Sequence, residues 1–197
     1  MSLKQKVIAI DGPSASGKGT VASRVAEALG FLYLDSGALY RLTALYAQKH
    51  NVAWSDEDAV STLAETLPAQ FEGSVVLLNG EDVSEQIRTE AIGMGASAVA
   101  QLPKVRTALL QRQRDFLTEK GLVADGRDIG SVIFPDAALK IFLTASANVR
   151  AQRRAKQLGI PCEGVAFERI LSDIEARDEA DRRRPVAPLK QLPDALL

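Results

Sequence analysis

Four short apolar segments, at residues 6–11, 31–34, 122–124 and 139–143, recur along the chain, and each precedes a stretch of helical periodicity. Apolar runs of this length, without polar alternation, are typical of strands buried on both faces of a parallel sheet. After the first run, Val21, Val25 and Leu29 follow helical spacing and Gly30 ends the pattern. The alternation predicts an α/β fold with a parallel central sheet, which binds ligands beyond the carboxyl ends of its strands.

Two regions interrupt this rhythm. Within residues 56–103, the segment 69–83 contains an apolar run at 75–78 followed by Asn79-Gly80, which predicts a small antiparallel sheet with a tight hairpin. We interpret this region as an insertion into the α/β core. Residues 153–170 form a second irregular stretch, because glycine and proline interrupt its Arg-rich flanks, and we interpret it as a mobile lid.

Between the first strand and the first helix lies a loop of small residues that has the pattern of a phosphate-binding loop. Its members are Gly12, Pro13, Ser14, Ala15, Ser16, Gly17, Lys18, Gly19 and Thr20. Small residues allow successive backbone N–H groups to surround a polyphosphate, and the lysine reaches its β and γ phosphates. Gly19 occupies the position that usually carries a hydroxyl facing the metal, so that hydroxyl is displaced to Thr20.

Polar residues follow two further strands. Asp35 and Ser36 follow the second strand, and Arg41 lies within the next helix. In one interpretation Asp35 or Ser36 caps that helix and Arg41 is solvated. In the other, these residues form part of a second ligand site beside the phosphate loop. After the third strand, Asp125 stands where a carboxylate holds Mg²⁺ through its water shell.

Arg127 and Asp128 follow, either as a salt-bridged turn or with the arginine meeting a transferring phosphoryl group. No carboxylate follows Asp125 and no Asn-Lys-x-Asp motif occurs, which disfavours a water-activating ATPase and a GTPase switch.

An arginine-rich stretch lies near the end of the chain. It holds Arg150, Arg153, Arg154, Arg169, Arg177, Arg182, Arg183 and Arg184, interleaved with Asp173, Asp178 and Asp181. Several of these residues fit an ordinary solvated helix face with pairs four residues apart. Arginine nevertheless greatly outnumbers lysine here, which favours forked phosphate recognition. We therefore expect part of this cluster to face an anion.

Composition narrows the classes of function. The 197 residues, 46% hydrophobic and 25% charged, suit one globular domain that can bury a core. The 24 Lys and Arg nearly balance 25 Asp and Glu, so no global positive field attracts nucleic acid. The single cysteine, the lack of about 18 consecutive apolar residues and the lack of a signal peptide predict a cytoplasmic protein.

Together these motifs resemble the cytidylate kinases of the bacterial type, within the nucleoside monophosphate kinases. The resemblance extends over nearly the whole chain, through residues 10–20, 35–41, 80–84, 87–88, 105–106, 124–128, 132–136 and 177–188. It implies a P-loop kinase core with a parallel sheet, built from residues 1–36, 107–152 and 171–197, with an inserted NMP-binding subdomain at 37–106 and a short lid at 153–170. The long insertion distinguishes this type from the shorter eukaryotic UMP/CMP kinases.

The resemblance also implies an activity: ATP-dependent, Mg²⁺-assisted phosphorylation of CMP and dCMP. It implies that Lys18, Arg127 and Arg184 are catalytic, that Arg153 joins residues 12–20 in binding ATP, and that Thr20 and Asp125 meet the metal, with Asp125 acting through water. The substrate-binding residues it implies are Asp35, Ser36, Gly37, Tyr40, Arg41, Ser97, Arg106, Arg127, Asp128, Asp181 and Arg184. Of these, Ser97, Arg106 and Asp128 would recognise cytosine. Arg41, Arg127 and Arg184 would bind the α-phosphate, and Asp181 would contact the sugar hydroxyls.

Several expectations accompany this assignment. Residues 195–197 fall where the last core strand of the family begins, so that strand and the terminal helix would be missing. We expect a monomer that acts on small nucleotides, with neither nucleic acid nor a membrane as partner. Two alternatives stay open: a P-loop kinase for another small acceptor, such as shikimate or a different nucleotide, and a binding module that closes on ATP without turnover.

Overall fold

The computed structural model describes residues 6–73 and 75–197, and the chain divides into two compact units. The first unit combines the chain up to Leu34 with Phe116–Leu197, and the second is Asp35–Asp115. Across the described residues, no helix has both the length and the apolar character needed to cross a bilayer.

The strands, in chain order, are β1 (Val7–Asp11), β2 (Leu32–Asp35), β3 (Ala69–Glu72), β4 (Val75–Leu78), β5 (Glu81–Asp82), β6 (Leu122–Gly126) and β7 (Leu139–Phe142). The helices are α1 (Lys18–Leu29), α2 (Ser36–Lys49), α3 (Glu57–Glu65), α4 (Glu90–Val99), α5 (Pro103–Arg114), α6 (Ala147–Leu158) and α7 (Gly164–Arg183).

The first unit is built on a four-stranded sheet in the order β2-β6-β1-β7. β1 is parallel to both β6 and β7, which confirms the predicted parallel α/β core. Because Ile10 is in register with Asp125, the phosphate loop after β1 and the carboxylate at the end of β6 lie at the same edge. Ala22 and Ala26 of α1 pack on this sheet, and their small side chains allow the helix to approach closely.

The segment after β6 differs from the sequence prediction of a helix. It forms only a five-residue π turn, Ile129–Ile133. Phe134, which precedes Pro135, adopts φ −129° and ψ 70°. A residue before proline is pushed out of the helical region, so the turn cannot extend.

The second predicted irregular stretch is also shorter than expected. Instead of covering 153–170, the break between α6 and α7 covers only residues 159–163. Gly159 ends α6 in the left-handed conformation at φ 67°. Ala151 and Ala155 of α6 pack against Phe167 and Ile174 of α7, so apolar burial extends both helices into the stretch. Lid motion stays a prediction.

The second unit contains the antiparallel sheet β3-β4-β5, as the sequence predicts. Asn79 and Gly80 have φ of 53° and 78°, the positive values that a tight hairpin between β4 and β5 requires. Helices α2 to α5 complete the unit around a core that includes Leu39, Val99 and Leu109, all fully buried.

Candidate active site

The phosphate loop contains buried polar atoms that lack a partner. Gly17, at φ 94°, is the N-cap of α1, and Ala15 also has a left-handed backbone at φ 55°. Within the described residues, the hydroxyl oxygens of Ser14 and Ser16 are buried and form no hydrogen bond. A buried hydroxyl without a partner costs about 1–3 kcal/mol. Phosphate oxygens at this loop would accept from both hydroxyls, so the loop fits a polyphosphate ligand.

Three cationic side chains lie against the same loop. Lys18 Nζ donates to the carbonyl of Pro13 at 3.1 Å, and Lys18 is only 8% exposed. Arg153 Nη1 donates to the carbonyl of Ser16 at 2.9 Å, and Arg150 Nη1 to that of Ser14 at 3.1 Å. The structure therefore brings predicted Arg153 to the loop, together with Arg150, for which the sequence analysis predicts no specific role.

Asp125 is buried at the end of β6 beside the start of α1. Its Oδ1 accepts a 2.6 Å hydrogen bond from the Tyr33 hydroxyl. A Cβ on Gly19 would lie 3.4 Å from that hydroxyl and 3.9 Å from Asp125 Oδ1, so the glycine leaves space beside the carboxylate. Carboxylate oxygen is the ligand type that Mg²⁺ prefers, and the arrangement fits a hydrated ion. Thr20 is exposed on the first turn of α1.

Asp11, the last residue of β1, holds the turn that follows β6. Its two carboxylate oxygens accept the backbone N–H groups of Ile129 and Gly130, each at 2.8 Å. Burial raises the pKa of Asp11 from 3.8 to about 6, and the nearby charge of Asp128 adds to the shift, against the opposing effects of the two N–H groups and of Lys18. Asp11 therefore fixes the backbone directly after Asp128, a predicted substrate residue.

The raised pKa predicts a pH-dependent contribution to stability. A carboxyl with a higher pKa in the folded state stabilises it most below pH 3.8, and this contribution is lost as the pH rises through about 6. Between pH 4 and pH 7 we expect the wild type to lose about 2 kcal/mol of unfolding free energy relative to Asp11→Asn. Urea unfolding of both proteins across this range measures the difference.

Asp82→Asn is the matched control for that measurement. Hydrogen bonds from Ser84 lower the pKa of exposed Asp82, so its ionisation favours folding and the slope has the opposite sign. A stability difference between wild type and Asp11→Asn that does not change with pH would contradict the raised pKa of Asp11.

The first unit also positions the remaining predicted residues, which directly follow β6 or lie at the end of α7. Arg127 Nε forms a 2.7 Å ion pair with Asp181 Oδ2, and both side chains are partly buried. Arg184 is 7% exposed and its Nη2 donates to the carbonyl of Ala187 at 2.8 Å, while Asp128 is 3% exposed. The Arg127–Asp181 pair was not predicted, because the two residues are far apart in the sequence and no local pattern indicates that they meet.

The second unit places Asp35 and Ser36 at the start of α2. Asp35 caps the helix by accepting from the Ala38 N–H at 3.1 Å, as one of the two interpretations predicts. The buried Ser36 hydroxyl donates to Gln113 Oε1 at 2.8 Å. A Cβ on Gly37 would lie 3.1 Å from Asp35 Oδ1, so this position favours glycine. Gln113, a partner of a predicted substrate residue, was missed by sequence reasoning.

Arginines in the second unit are held by backbone carbonyls. Arg41 is partly buried and its Nη1 donates to the carbonyl of Ile87 at 2.9 Å. Arg106 is 7% exposed, donates to Ala100 at 3.1 Å, and places its guanidinium carbon 5.7 Å from the centre of the Tyr40 ring. The Ser97 hydroxyl donates to Gly93 at 3.2 Å. The unit thus holds Arg41, Arg106 and Tyr40 in defined places.

Comparison with known proteins identifies the family of these two units. The family model described as cytidylate kinase matches residues 8–197. The chain belongs to the cytidylate kinase family. Membership makes the chain a kinase, that is, a phosphotransferase.

Named cytidylate kinases from several bacteria are similar to the chain throughout. The protein from Neisseria meningitidis serogroup C is 80% identical over 194 residues, which cover 98% of this chain and 89% of that protein. The one from Neisseria gonorrhoeae is 78% identical with the same coverage. The one from Chromobacterium violaceum is 60% identical over 97% of this chain and 86% of its own length.

In this member of the family, the arginine-rich stretch has two kinds of residue. Exposed Arg182 and Arg183 lie 3.9 Å from Asp178 and 2.5 Å from Glu179, each four residues away, as expected of a solvated helix face. Arg150 is instead buried. Helical periodicity could have located it, because it lies three residues after Ala147 and one before Ala151, which both belong to the apolar contact between α6 and α7.

Proposed function

We propose that this chain transfers the γ-phosphoryl group of ATP to CMP and dCMP, yielding ADP with CDP or dCDP. Family membership supports the reaction. The observation that carries the ATP half is the phosphate loop, where the buried hydroxyls of Ser14 and Ser16 have no partner within the described residues. The cytoplasmic location, the monomeric state and the lack of a nucleic acid partner stay predictions.

The transfer needs charge neutralisation more than proton chemistry. A CMP phosphate oxygen, already ionised, forms the new P–O bond as the bond between the γ-phosphorus and its bridging oxygen breaks, and that oxygen leaves on ADP. No general base is required. Lys18, Arg127 and Arg184 would offset the charge that spreads over the transferring group, which is where most of the catalysis in phosphoryl transfer arises.

Asp125 and Thr20 are the residues we propose for Mg²⁺, with Asp125 acting through water. The ion would supply positive charge to the phosphate oxygens. Tyr33 donates to Asp125 Oδ1 and so orients the carboxylate. Gly19 leaves the space beside it in which a hydration shell would fit.

For the acceptor, we propose Ser36, Arg41, Ser97 and Arg106 of the second unit as contacts of CMP. Ser97 and Arg106 offer a hydroxyl and a forked donor for the cytosine edge, and Arg41 offers a cation for the α-phosphate. The hydrogen bond from Ser36 to Gln113 leaves lone pairs on the Ser36 oxygen for a ligand donor. Asp128 and Asp181 remain predictions for cytosine and for the sugar.

An acceptor panel tests the proposal. ATP with Mg²⁺ is mixed with CMP, dCMP, UMP or AMP, and the diphosphate product is measured directly. We expect CDP and dCDP to form with the highest kcat/KM. Preferential phosphorylation of another acceptor would indicate a different kinase, while ATP binding without any diphosphate product would indicate a binding module.

The Arg106→Met variant tests whether Arg106 contacts CMP rather than ATP. Methionine retains much of the length of the side chain but none of its charged hydrogen bonds, each of which is worth about 1.5–3 kcal/mol. We expect the KM for CMP to rise about tenfold to a hundredfold, with the KM for ATP unchanged in steady-state assays.

Arg112→Met is the matched control for this prediction. Arg112 is on the same helix, α5, and also donates to a backbone carbonyl, that of Ala69 at 3.1 Å. An equal rise of KM for CMP in both variants would show a general effect on the second unit rather than a contact with the substrate.

A further inference from the structure

Arg150 carries a charge in the interior of the first unit. It lies on α6 and is 2% exposed, and its partner Asp178 on α7 is 3% exposed. Arg150 Nη1 donates to Asp178 Oδ1 at 3.0 Å, and Nη2 donates to Oδ2. Apolar residues of similar volume often replace a buried ion pair without loss of stability. Stability is therefore a weak explanation for this pair.

The same guanidinium also holds the phosphate loop. Arg150 Nη1 donates to the carbonyl of Ser14 at 3.1 Å, and Nε donates to the carbonyl of Ala145 at 2.9 Å. Arg150 thus connects the loop with the residues just before α6 and with α7. The planar fork of arginine can serve three acceptors at fixed angles, which a lysine ammonium cannot do in the same geometry.

The contact with Ser14 determines the direction of the next amide. The carbonyl of Ser14 and the N–H of Ala15 belong to one planar trans peptide and point in opposite directions. Because the carbonyl points to Arg150, the N–H of Ala15 points away from it. Ala15 has φ 55°, which residues with a Cβ rarely adopt, so the loop needs outside contacts to maintain this conformation.

We propose that Arg150, held by Asp178, is a positioning residue that orients the Ala15 amide toward the phosphates of ATP. Arg150 acts through the Ser14 carbonyl and does not itself contact the nucleotide. The inference rests on the proposed function in one respect, the identity of the ligand as ATP.

Direct binding measurements on the full chain test the proposal. Isothermal titration gives the Kd for ATP and for CMP separately, and circular dichroism gives the melting temperature. We expect Arg150→Lys to raise the Kd for ATP at least tenfold while the Kd for CMP changes less than twofold. We expect Asp178→Asn to raise the Kd for ATP by less, about threefold, because asparagine keeps one oxygen that can accept a hydrogen bond from Arg150.

Arg182→Ala is the matched control. Arg182 is exposed on α7 and lies 3.9 Å from the same Asp178 carboxylate, so its removal changes the charge beside Asp178 from the solvent side. We expect wild-type Kd values for both ligands. An ATP Kd within twofold of wild type in Arg150→Lys, or an equal loss of affinity for both ligands, overturns the proposal.

The double variant Arg150→Met with Asp178→Leu separates positioning from structural support. An apolar pair can restore the packing of α6 on α7 but cannot hold the Ser14 carbonyl. We expect the melting temperature to approach that of wild type while the Kd for ATP stays at least tenfold raised. Recovered ATP affinity, or failure of the double variant to fold, makes the pair structural and overturns the proposal.

The outcomes distinguish this proposal from the proposed function. If wild type binds ATP but forms no CDP, the proposed reaction fails while the Kd comparison still decides the role of Arg150. If CDP forms and the variants bind ATP as wild type does, the reaction stands and the positioning role is wrong.

Discussion

Replacing Lys18 with methionine is expected to lower kcat about a thousandfold while leaving the KM for CMP within threefold of wild type. Lys18 is 8% exposed at the start of α1, and its ammonium donates to the Pro13 carbonyl within the phosphate loop. A cation so enclosed interacts strongly with charge that develops on a transferring phosphoryl group, and loss of one such interaction costs about 3–4 kcal/mol of transition-state stabilisation. Steady-state kinetics with both substrates varied measures the effect.

Lys190→Met is the control for that experiment. Lys190 is an exposed lysine of the same unit, so its replacement changes the net charge equally without altering the loop. We expect wild-type kcat. A fall of less than tenfold in Lys18→Met, or a similar fall in the control, would contradict a direct role for Lys18 in the transfer.

Local signals in the sequence are sufficient to predict the core strands and the hairpin of this fold. The parallel strands β1, β6 and β7 are short apolar runs, and the β4-β5 hairpin has Asn79-Gly80, so pattern and turn chemistry identify both. The phosphate loop is likewise contiguous, so its motif can be recognised from the sequence alone, and Lys18 and Arg153 both donate to its carbonyls.

Contacts between distant residues could not be predicted in this way. Tyr33 with Asp125, Arg127 with Asp181, and Arg150 with Asp178 are each brought together only by the folded chain. The identity of a charged residue does not indicate whether its side chain is solvated or buried against a partner. The sequence therefore predicts which groups carry the proposed chemistry, but it does not predict the partners that orient them.

The lid illustrates the same limit for secondary structure. Gly159, Pro161 and Gly164 correctly marked a break, but α6 extends to Leu158 and α7 begins at Gly164. The apolar contacts of Ala155 with the α7 side chains stabilise helix on both sides of the break. Tertiary packing thus decided the boundaries, which propensity alone leaves undefined.

The Gly12→Ala variant is expected to lose about 3 kcal/mol of unfolding free energy together with its affinity for ATP. A Cβ on Gly12 would lie 2.0 Å from the carbonyl oxygen of Leu143, an impossible separation, and the obstructing atom is backbone. Leu143 cannot move away freely, because its N–H donates to the Asp11 carbonyl at 2.8 Å. Overpacking against a fixed backbone costs about 1–3 kcal/mol, and the upper end applies here.

Gly159→Ala separates this steric effect from the general cost of replacing a glycine. Gly159 has φ 67°, and a Cβ there would have no atom within 4 Å, so only the left-handed backbone penalty of about 1 kcal/mol applies. Urea unfolding should therefore show that Gly12→Ala is about 2 kcal/mol less stable than Gly159→Ala. Titration with ATP should detect a loss of affinity only in Gly12→Ala. Equal stabilities would mean that β1 and β7 can separate at little cost, and the phosphate loop would then not depend on their junction at residue 12.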